Sequence, residues 1–259
     1  METRVIKIAF FDIDGTLLSF KTHRMPESSA RALAALRANG VRTVISTGRV
    51  KNSLPPELLE GFDTYLTLNG QLCFDGEGVF RSCPLDDADV RAVLDQAAEN
   101  GYAAMVLQES GSFVTCHTDL VLANERQVGL TYREDDPERA FDEPVYQMCA
   151  FVGSEDDHLI TDATEHMATT RWTELFCDVV PDQGGKDFGV RAALERYGLT
   201  AEEAIAFGDG ENDLSMLKAV GIGVAMGNAW DIVKEHADYV TTGVDDDGIW
   251  NACEHFGLV

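Results

Sequence analysis

The stretch Ile8-Ala9-Phe10-Phe11-Asp12-Ile13-Asp14-Gly15-Thr16 decides the fold of this chain. Its first four residues are apolar, which predicts a short strand buried inside a parallel sheet. Two carboxylates, Asp12 and Asp14, follow at once, and Gly15 permits a sharp turn after them. Because ligands of open parallel sheets bind at the carboxyl ends of the strands, the same stretch predicts where a site lies.

The paired acids suggest a chemistry for that site. A carboxylate can attack phosphorus, and the acyl phosphate that forms is easily hydrolysed. The second carboxylate can protonate the leaving oxygen and later deprotonate water. The alternative is an ordinary turn at a strand end, where Asp and Gly are common. Two acids crowded at the end of a buried strand favour the chemical interpretation.

Strand and helix patterns alternate in two separate parts of the chain, residues 1–83 and residues 183–259. In the first part, strands are predicted at 41–46 and 64–68, a helix between Pro26 and Gly40, and a hairpin over 71–81. After residue 182 the alternation returns, with helices at 187–197, 211–219, 229–236 and 248–256 and strands at 204–207, 222–224 and 239–240.

In residues 84–182 the regular alternation of strands and helices is lost, and several predicted strands follow one another. Strands are predicted at 102–107, 113–116, 145–152 and 174–180, helices at 86–100, 119–127 and 155–167, and a polar loop over 134–144. The predicted fold class is therefore α/β. A parallel-sheet core formed by residues 1–83 and 183–259 is split by an inserted α+β domain, residues 84–182.

Composition narrows the class of partner. The chain has 259 residues and a formal net charge of −25, which argues against nucleic acid and anionic membranes but not against a small anion held by local positive charge. No apolar run approaches the roughly 20 residues of a membrane helix, and no signal-peptide pattern is seen, so we expect a cytoplasmic protein. The six cysteines contain no C-x-x-C pair, which favours free thiols over a zinc site.

Two further motifs could hold a phosphoryl group. The second strand ends in Ile45-Ser46-Thr47-Gly48-Arg49, where a hydroxyl and a backbone N–H could grip a phosphoryl oxygen. Thr47 is the preferred contact and Ser46 the fallback. Lys186 stands after Asp182-Gln183-Gly184-Gly185 and could neutralise a phosphoryl group and the attacking carboxylate. Taken singly, an ordinary loop and a solvated surface lysine explain these residues better.

The segment Phe207-Gly208-Asp209-Gly210-Glu211-Asn212-Asp213 follows another apolar strand and opens a helix. Asp209 at the strand end can ligate a hard cation such as Mg²⁺. Asn212 and Asp213 lie three and four residues later and can fold back towards the same point. An acidic helix N-terminus, stabilised by the helix dipole, would explain one acid but not a cluster that abuts an apolar strand.

In this order the motifs resemble the haloacid dehalogenase superfamily of phosphohydrolases. The segments that extend the resemblance to its Cof-type subgroup are Thr67-Leu68-Asn69-Gly70, Val224-Ala225-Met226-Gly227-Asn228-Ala229, Ala237-Asp238-Tyr239-Val240-Thr241 and Asp247-Gly248-Ile249. The resemblance covers essentially the whole core. It implies a Rossmann-like parallel sheet core with an inserted α+β cap domain, and a Mg²⁺-dependent phosphatase that works through an aspartyl-phosphate.

The resemblance also implies a role for each motif residue. Asp12 is expected to be the nucleophile and a metal ligand, and Asp14 the acid/base, with its backbone carbonyl on the metal. Thr47 and Lys186 are expected to hold the phosphoryl group, and Asp209 the metal. The supporting residues are expected to be Gly48, Asn69 and Asn212 on the phosphate side and Asp213 on the metal side. The chain departs from many relatives in having Gly184-Gly185, not Val-Ser, before the lysine.

Three functions stay open at this point: a phosphatase on a small metabolite, a phosphomutase or phosphotransferase with the same intermediate, and a non-catalytic binding module. The intact Asp12, Asp14, Lys186 and Asp209 argue against the third. The expected partner is a small phosphorylated metabolite (a sugar phosphate, pyridoxal phosphate or a nucleotide-like phosphate), and the expected state is a monomer or weak homodimer. Arg126 and the segment Leu175-Phe176-Cys177-Asp178 are nominated for substrate selection.

Overall fold

The fold is described from a computed structural model, which covers residues 5–59, 61–182 and 184–259. Contacts divide the described residues into two compact units. The core unit comprises Met1–Thr47, Pro56–Arg81 and Gly185–Val259, and the insert unit comprises Gly48–Pro55 and Ser82–Gly184, in each case for their described residues. The domain boundaries at 83/84 and 182/183 stay predictions, and residues 1–4, Glu60 and Gln183 in those ranges lie outside the described residues.

The core unit is built on an eight-stranded sheet of order β13-β12-β11-β1-β2-β3-β4-β5. Its strands are β1 (Ile8–Phe11), β2 (Arg42–Ser46), β3 (Thr64–Thr67), β4 (Leu72–Asp75), β5 (Gly78–Ser82), β11 (Ala204–Gly208), β12 (Ile222–Ala225) and β13 (Tyr239–Val240). The six strands from β13 to β3 run parallel, and β4 turns back antiparallel to β3. The predicted α/β class with a parallel core is confirmed.

Strand β1, which leads into Asp12, lies at the centre of this sheet. All four residues of β1 are buried, as expected for a strand covered on both faces. β1 pairs with β11 on one side and β2 on the other, with Phe11 opposite both Phe207 and Ile45. The carboxyl ends of these three strands therefore meet at one edge, so the motifs that follow them come together.

The core helices are α1 (Glu27–Ala38), α2 (Pro56–Leu59), α6 (Lys186–Tyr197), α7 (Leu214–Lys218), α8 (Asp231–His236) and α9 (Gly248–His255). Helix α1 starts after Pro26 and ends before Asn39-Gly40, as the sequence predicts. Val190 and Ala193 of α6 join Phe10, Val44 and Leu66 of the sheet in one hydrophobic cluster. Burial of this apolar helix face positions the first residue of α6 over the sheet.

The insert unit has a five-stranded sheet of order β7-β6-β8-β10-β9. Its strands are β6 (Ala104–Gln108), β7 (Gly111–Val114), β8 (Val145–Ala150), β9 (Met167–Thr173) and β10 (Phe176–Pro181), and its helices are α3 (Asp87–Asn100), α4 (Asp119–Val128) and α5 (His158–Thr161). Val90 and Val93 of α3 pack with Val106, Met148 and Val179 of the sheet. Among the described residues, no helix is long and apolar enough to span a bilayer.

The predicted helix over 155–167 is largely wrong. A short 3-10 turn and the four-residue α5 occupy its first half, and β9 begins at Met167. β9 is an edge strand that pairs with β10, with Thr169 opposite Val179 and Thr170 opposite Asp178. Its polar, threonine-rich sequence lacks the apolar alternation that marks a strand, which is why the sequence pattern failed to reveal it.

Helix α7 packs so closely on the core sheet that no side chain fits at Gly223 of β12. A Cβ at this position would lie 2.6 Å from the Leu217 carbonyl oxygen, too close for any real contact. We expect Gly223→Ala to lower the free energy of unfolding by about 1–3 kcal/mol, the usual cost of overpacking. Gly76 in the β4–β5 turn has no atom within 4 Å of the same position, so Gly76→Ala serves as the matched control. Equal urea unfolding midpoints for the two variants would contradict this account of the packing.

Candidate active site

Asp12 directly follows the central strand of the core sheet. Its backbone N–H donates a 3.0 Å hydrogen bond to the Phe207 carbonyl, which continues the β1–β11 pairing by one residue. The residue is only 7% exposed. The carboxylate is thus fixed at the carboxyl edge of the sheet, on a rigid element.

Lys186 is the first residue of α6 and is fully buried. Its Nζ donates to Asp12 Oδ1 and to Asp213 Oδ1, each at 2.6 Å. A surface lysine is therefore the wrong interpretation of this residue, since a buried ammonium needs such partners. Gly185 has φ +122°, a conformation that side chains rarely allow, so the glycine before Lys186 lets the chain turn into the helix.

Asp213 holds the lysine and also shapes its own loop. Its Oδ2 accepts hydrogen bonds from the backbone N–H groups of Asp209 and Gly210, at 2.9 and 3.0 Å. The short 3-10 turn Glu211–Asp213 thereby folds back on the end of β11, as the motif spacing suggests. Gly208 is needed there because a Cβ on it would lie 2.5 Å from Asp213 Cβ.

Asp209 is the third buried carboxylate of the site, with 6% exposure. Thr16 Oγ1 donates to Asp209 Oδ1 at 2.9 Å, and Asn228 Nδ2 lies 3.3 Å from Asp209 Oδ2. Asp14 is partly exposed and lies near enough to Asp12 for its carboxyl group, when ionised, to raise the pKa of Asp12. The expected contribution of its backbone carbonyl to a metal stays a prediction.

Asp12, Asp209 and Asp213 form an acidic group in which one carboxylate oxygen of each residue lies within 4.8 Å of one oxygen of each of the other two. Burial raises the pKa of Asp12 to about 7, Asp213 and Asp14 act in the same sense, and Lys186 acts against them. Burial and the charges of Asp12 and Asp213 also raise the pKa of Asp209 well above its ordinary value. Burial alone would lower the pKa of Lys186, but Asp12 and Asp213 outweigh it and raise that pKa. One ammonium does not balance three carboxylates, and their all-oxygen donor set fits a hard divalent cation.

Thr47 and Ser46 both lie buried at the end of β2. Thr47 is held by its backbone, whose N–H donates to Leu66 O at 2.8 Å and whose carbonyl accepts from Asn69 N at 2.9 Å. Ser46 Oγ has no hydrogen-bond partner among the described residues, so its hydroxyl is available as a further donor. Thr47 as the phosphate contact, with Ser46 as the fallback, stays a prediction.

Asn69 and Asn212, which the motifs placed on the phosphate side, are brought together. Asn212 Nδ2 donates to Asn69 Oδ1 at 3.2 Å, and both residues are buried. Asn69 adopts the left-handed region, with φ 53°. Their contact joins the end of β3 to the loop after β11.

The remaining nominated residues fall in the insert unit: Gly48, Arg126 and residues 175–178. Arg126 lies in the last turn of α4. Asp178 is buried in β10, where its Oδ1 accepts from Gln147 Nε2 at 2.8 Å. Their role in substrate selection stays a prediction.

Two residues of the site were missed by the sequence reasoning, Thr16 and Asn228. Thr16 stands inside the quoted D-x-D-G-T motif, and its hydroxyl type and position were the available signal. Asn228 belongs to the segment Val224-Ala225-Met226-Gly227-Asn228-Ala229, and nothing in this local sequence links it to Asp209. Only the fold brings it there.

Comparison with known proteins agrees with this geometry. A family model described as haloacid dehalogenase-like hydrolase matches residues 9–253. The chain is 34% identical over 256 residues to "Putative phosphatase YkrA" of Bacillus subtilis (strain 168), covering 98% of each protein. Two similar solved structures add to this. One comes from work on a conserved trigonal-bipyramidal intermediate in a phosphoryl-transfer superfamily, with TM-score 0.94, 34% identity and coverage of 98% and 100% of the two chains. The other is the HAD subclass IIB sugar phosphatase BT4131, with TM-score 0.91, 35% identity and the same coverage.

The family match spans nearly the whole chain and includes every core motif described above. The chain therefore belongs to the haloacid dehalogenase-like hydrolases, in the Cof-type subgroup that its motifs predict, and is an enzyme of the phosphoric monoester hydrolase class.

Proposed function

We propose that this protein hydrolyses phosphate monoesters of small metabolites through an aspartyl-phosphate on Asp12, with Mg²⁺ as cofactor. The observation that carries the proposal is the Asp12 carboxylate at the sheet edge, with one oxygen held by the buried Lys186 and two further carboxylates beside it. A carboxylate fixed in this way presents its other oxygen in one direction. Such positioning is what an in-line attack on phosphorus requires.

In the first step, the Asp12 oxygen that Lys186 does not hold attacks the phosphorus atom. A new O–P bond forms, and the bond from phosphorus to the ester oxygen breaks, with its electron pair leaving on that oxygen. Asp14 donates a proton to the leaving oxygen, so the product is a neutral alcohol. The phosphoryl group is now carried by Asp12 as a mixed anhydride.

In the second step, water attacks the same phosphorus atom. Asp14, now a carboxylate, accepts a proton from that water. The bond between phosphorus and the Asp12 oxygen breaks, which releases inorganic phosphate and restores the Asp12 carboxylate. Protons and charges balance, and no further reactant is needed.

Lys186 supplies positive charge where the phosphoryl group adds negative charge. It is held between Asp12 and Asp213, so it can stabilise the attacking group without moving. Mg²⁺, when bound, would neutralise charge on the phosphoryl oxygens and on the surrounding acids. The residues proposed to hold it are Asp12 and Asp209 through carboxylates and Asp14 through its backbone carbonyl, with Asp213 beside them.

We further propose that the substrate is a small phosphorylated metabolite, first among them a sugar phosphate, since one similar protein is a sugar phosphatase. Pyridoxal phosphate and nucleotide-like phosphates are the other classes to test. The insert is proposed to select among them. A cytoplasmic location and a monomeric or weakly dimeric state stay predictions.

The nucleophile is tested by Asp12→Asn. We expect turnover to fall at least about 1,000-fold, because an amide cannot form the acyl phosphate. The measurement is phosphate release from a panel of phosphorylated metabolites with Mg²⁺. Asp63→Asn, at an exposed position of the core unit, is the control and should keep full activity. Near-normal turnover of pure Asp12→Asn protein would overturn the mechanism.

The acidic group predicts that Mg²⁺ stabilises the fold. Binding to the native state alone adds about 2.7 kcal/mol at a hundredfold excess over the dissociation constant. For a chain of this size that is a rise of roughly 5–10 °C in Tm. Asp209→Asn should lose most of the rise and Asp63→Asn none of it. A melting curve that millimolar Mg²⁺ leaves unchanged would count against a metal site here.

Hydrolysis and phosphoryl transfer to a sugar hydroxyl begin with the same step and differ in the acceptor. A reactive acyl phosphate in an aqueous cleft is hydrolysed unless it is shielded, so we expect water to be the acceptor. With an accepted hexose phosphate and Mg²⁺, inorganic phosphate should appear in proportion to substrate lost, as followed by ³¹P NMR. Accumulation of a positional isomer with little free phosphate would instead identify a mutase.

A further inference from the structure

We propose that Asn228 is a positioning residue that fixes the Asp209 carboxylate for the metal and holds it in register with the Asp12–Thr16 turn. The proposal rests on the proposed function, because it assigns Asp209 to the metal. Asn228 lies in the turn between β12 and α8, 213 residues after Gly15 and 19 residues after Asp209, and it contacts both of them.

The side-chain amide of Asn228 makes three hydrogen bonds. Its Nδ2 donates to the Gly15 carbonyl at 2.9 Å and to Asp209 Oδ2 at 3.3 Å. Its Oδ1 accepts from the backbone N–H of Val244 at 2.8 Å. One amide thus joins the turn after β1, the carboxylate after β11 and the loop after β13.

The orientation of this amide is fixed by its backbone partners. A carbonyl such as that of Gly15 can only accept, and an N–H such as that of Val244 can only donate. The amide nitrogen must therefore face Gly15 and Asp209, and the oxygen must face Val244. A flipped amide would set oxygen against oxygen on one side and N–H against N–H on the other.

The Asp209 carboxylate is confined on each side. Thr16 Oγ1 donates to Oδ1 at 2.9 Å, and Asn228 donates to Oδ2. Gly15, with φ +86°, lies so close that a Cβ on it would be 2.1 Å from Asp209 Oδ2. The carboxylate cannot rotate without losing a donor or meeting the turn. Each oxygen keeps a lone pair for a cation, because each accepts a single side-chain bond.

The turn that presents Asn228 is itself anchored beside Asp209. Met226 N–H donates to Gly208 O at 3.0 Å, and Trp230 N–H donates to Asp209 O at 3.1 Å. Gly227 packs against Thr242 and Gly243, where a Cβ would come within 2.7 Å of backbone atoms. Asn228 is thus held in place before any ligand arrives. Donors of this kind behind a metal ligand set its orientation and typically change affinity by 10–100-fold.

The test is the Mg²⁺ dissociation constant of Asn228→Ala, measured by isothermal titration calorimetry without substrate. We expect affinity to fall about tenfold. Asn228→Leu, which keeps a similar volume but has no amide to donate to Asp209 or Gly15, should bind as weakly. The Mg²⁺-induced rise in Tm should shrink in both variants. The Mg²⁺ concentration that gives half-maximal phosphate release should rise in both variants. At saturating Mg²⁺, kcat should fall by a smaller factor than that rise.

Asn251→Ala is the matched control. Asn251 Nδ2 donates to Thr242 Oγ1 at 2.8 Å and to Asp246 O at 3.2 Å, so it holds the same loop as Asn228 but does not contact Asp209. We expect Asn251→Ala to bind Mg²⁺ with the wild-type constant. Metal-free circular dichroism of each variant reports whether the fold is intact.

The proposal is overturned if folded Asn228→Ala binds Mg²⁺ as wild type does, or if Asn251→Ala weakens binding equally. A wild-type protein that binds no Mg²⁺ would overturn it as well. Failure of the proposed function gives a different result: wild type would bind Mg²⁺ yet release no phosphate from any monoester. The calorimetric comparison would still decide the role of Asn228 in that case.

Discussion

The Lys186 ammonium, fully buried between Asp12 and Asp213, is the interaction on which the rest of the core depends. Its two hydrogen bonds connect three separate parts of the chain: the end of β1, the start of α6 and the loop after β11. Burying a lone charge is very costly, whereas a charge with two close partners is tolerated. Removing one member of such a set typically costs about 3–5 kcal/mol, so each part of the chain helps to hold the others in place.

The same group of charges shows a conflict between stability and function. Three carboxylates that each place one oxygen within 4.8 Å of the others carry more negative charge than one ammonium can neutralise. Burial, and after it the neighbouring carboxylates, raise the pKa values of Asp12 and Asp209, so keeping these groups ionised costs stability in the metal-free fold. The chain has 45 acidic and 20 basic residues, so its overall charge does not offset the acids of the site, and local positive charge must come from Lys186 and a bound cation. This electrostatic cost falls on the residues that are proposed to carry out the reaction.

The sequence revealed the parts of this structure that depend on local pattern. The buried run before Asp12 and the glycines around Asp75 predicted β1 and the β4–β5 hairpin correctly, because apolar runs and turn residues act over a few positions. Strand β9 was missed because pairing with β10 overrides a polar local sequence. Asn228 was missed for a different reason: its partners, Gly15 and Asp209, are brought to it only by the order of the strands.

The strand order also bears on how the chain is made. Strand β1 lies at the centre of the sheet, and of its two neighbours β2 is synthesised soon after it but β11 only after the strands of the insert unit. Until then a nascent chain exposes one hydrogen-bonding edge of a fully apolar strand, the kind of edge that invites pairing with another chain. Placing Asp12 at the end of a central strand therefore leaves that edge of β1 unpaired until β11 has been made. The insert can meanwhile fold by pairing strands that are close in sequence.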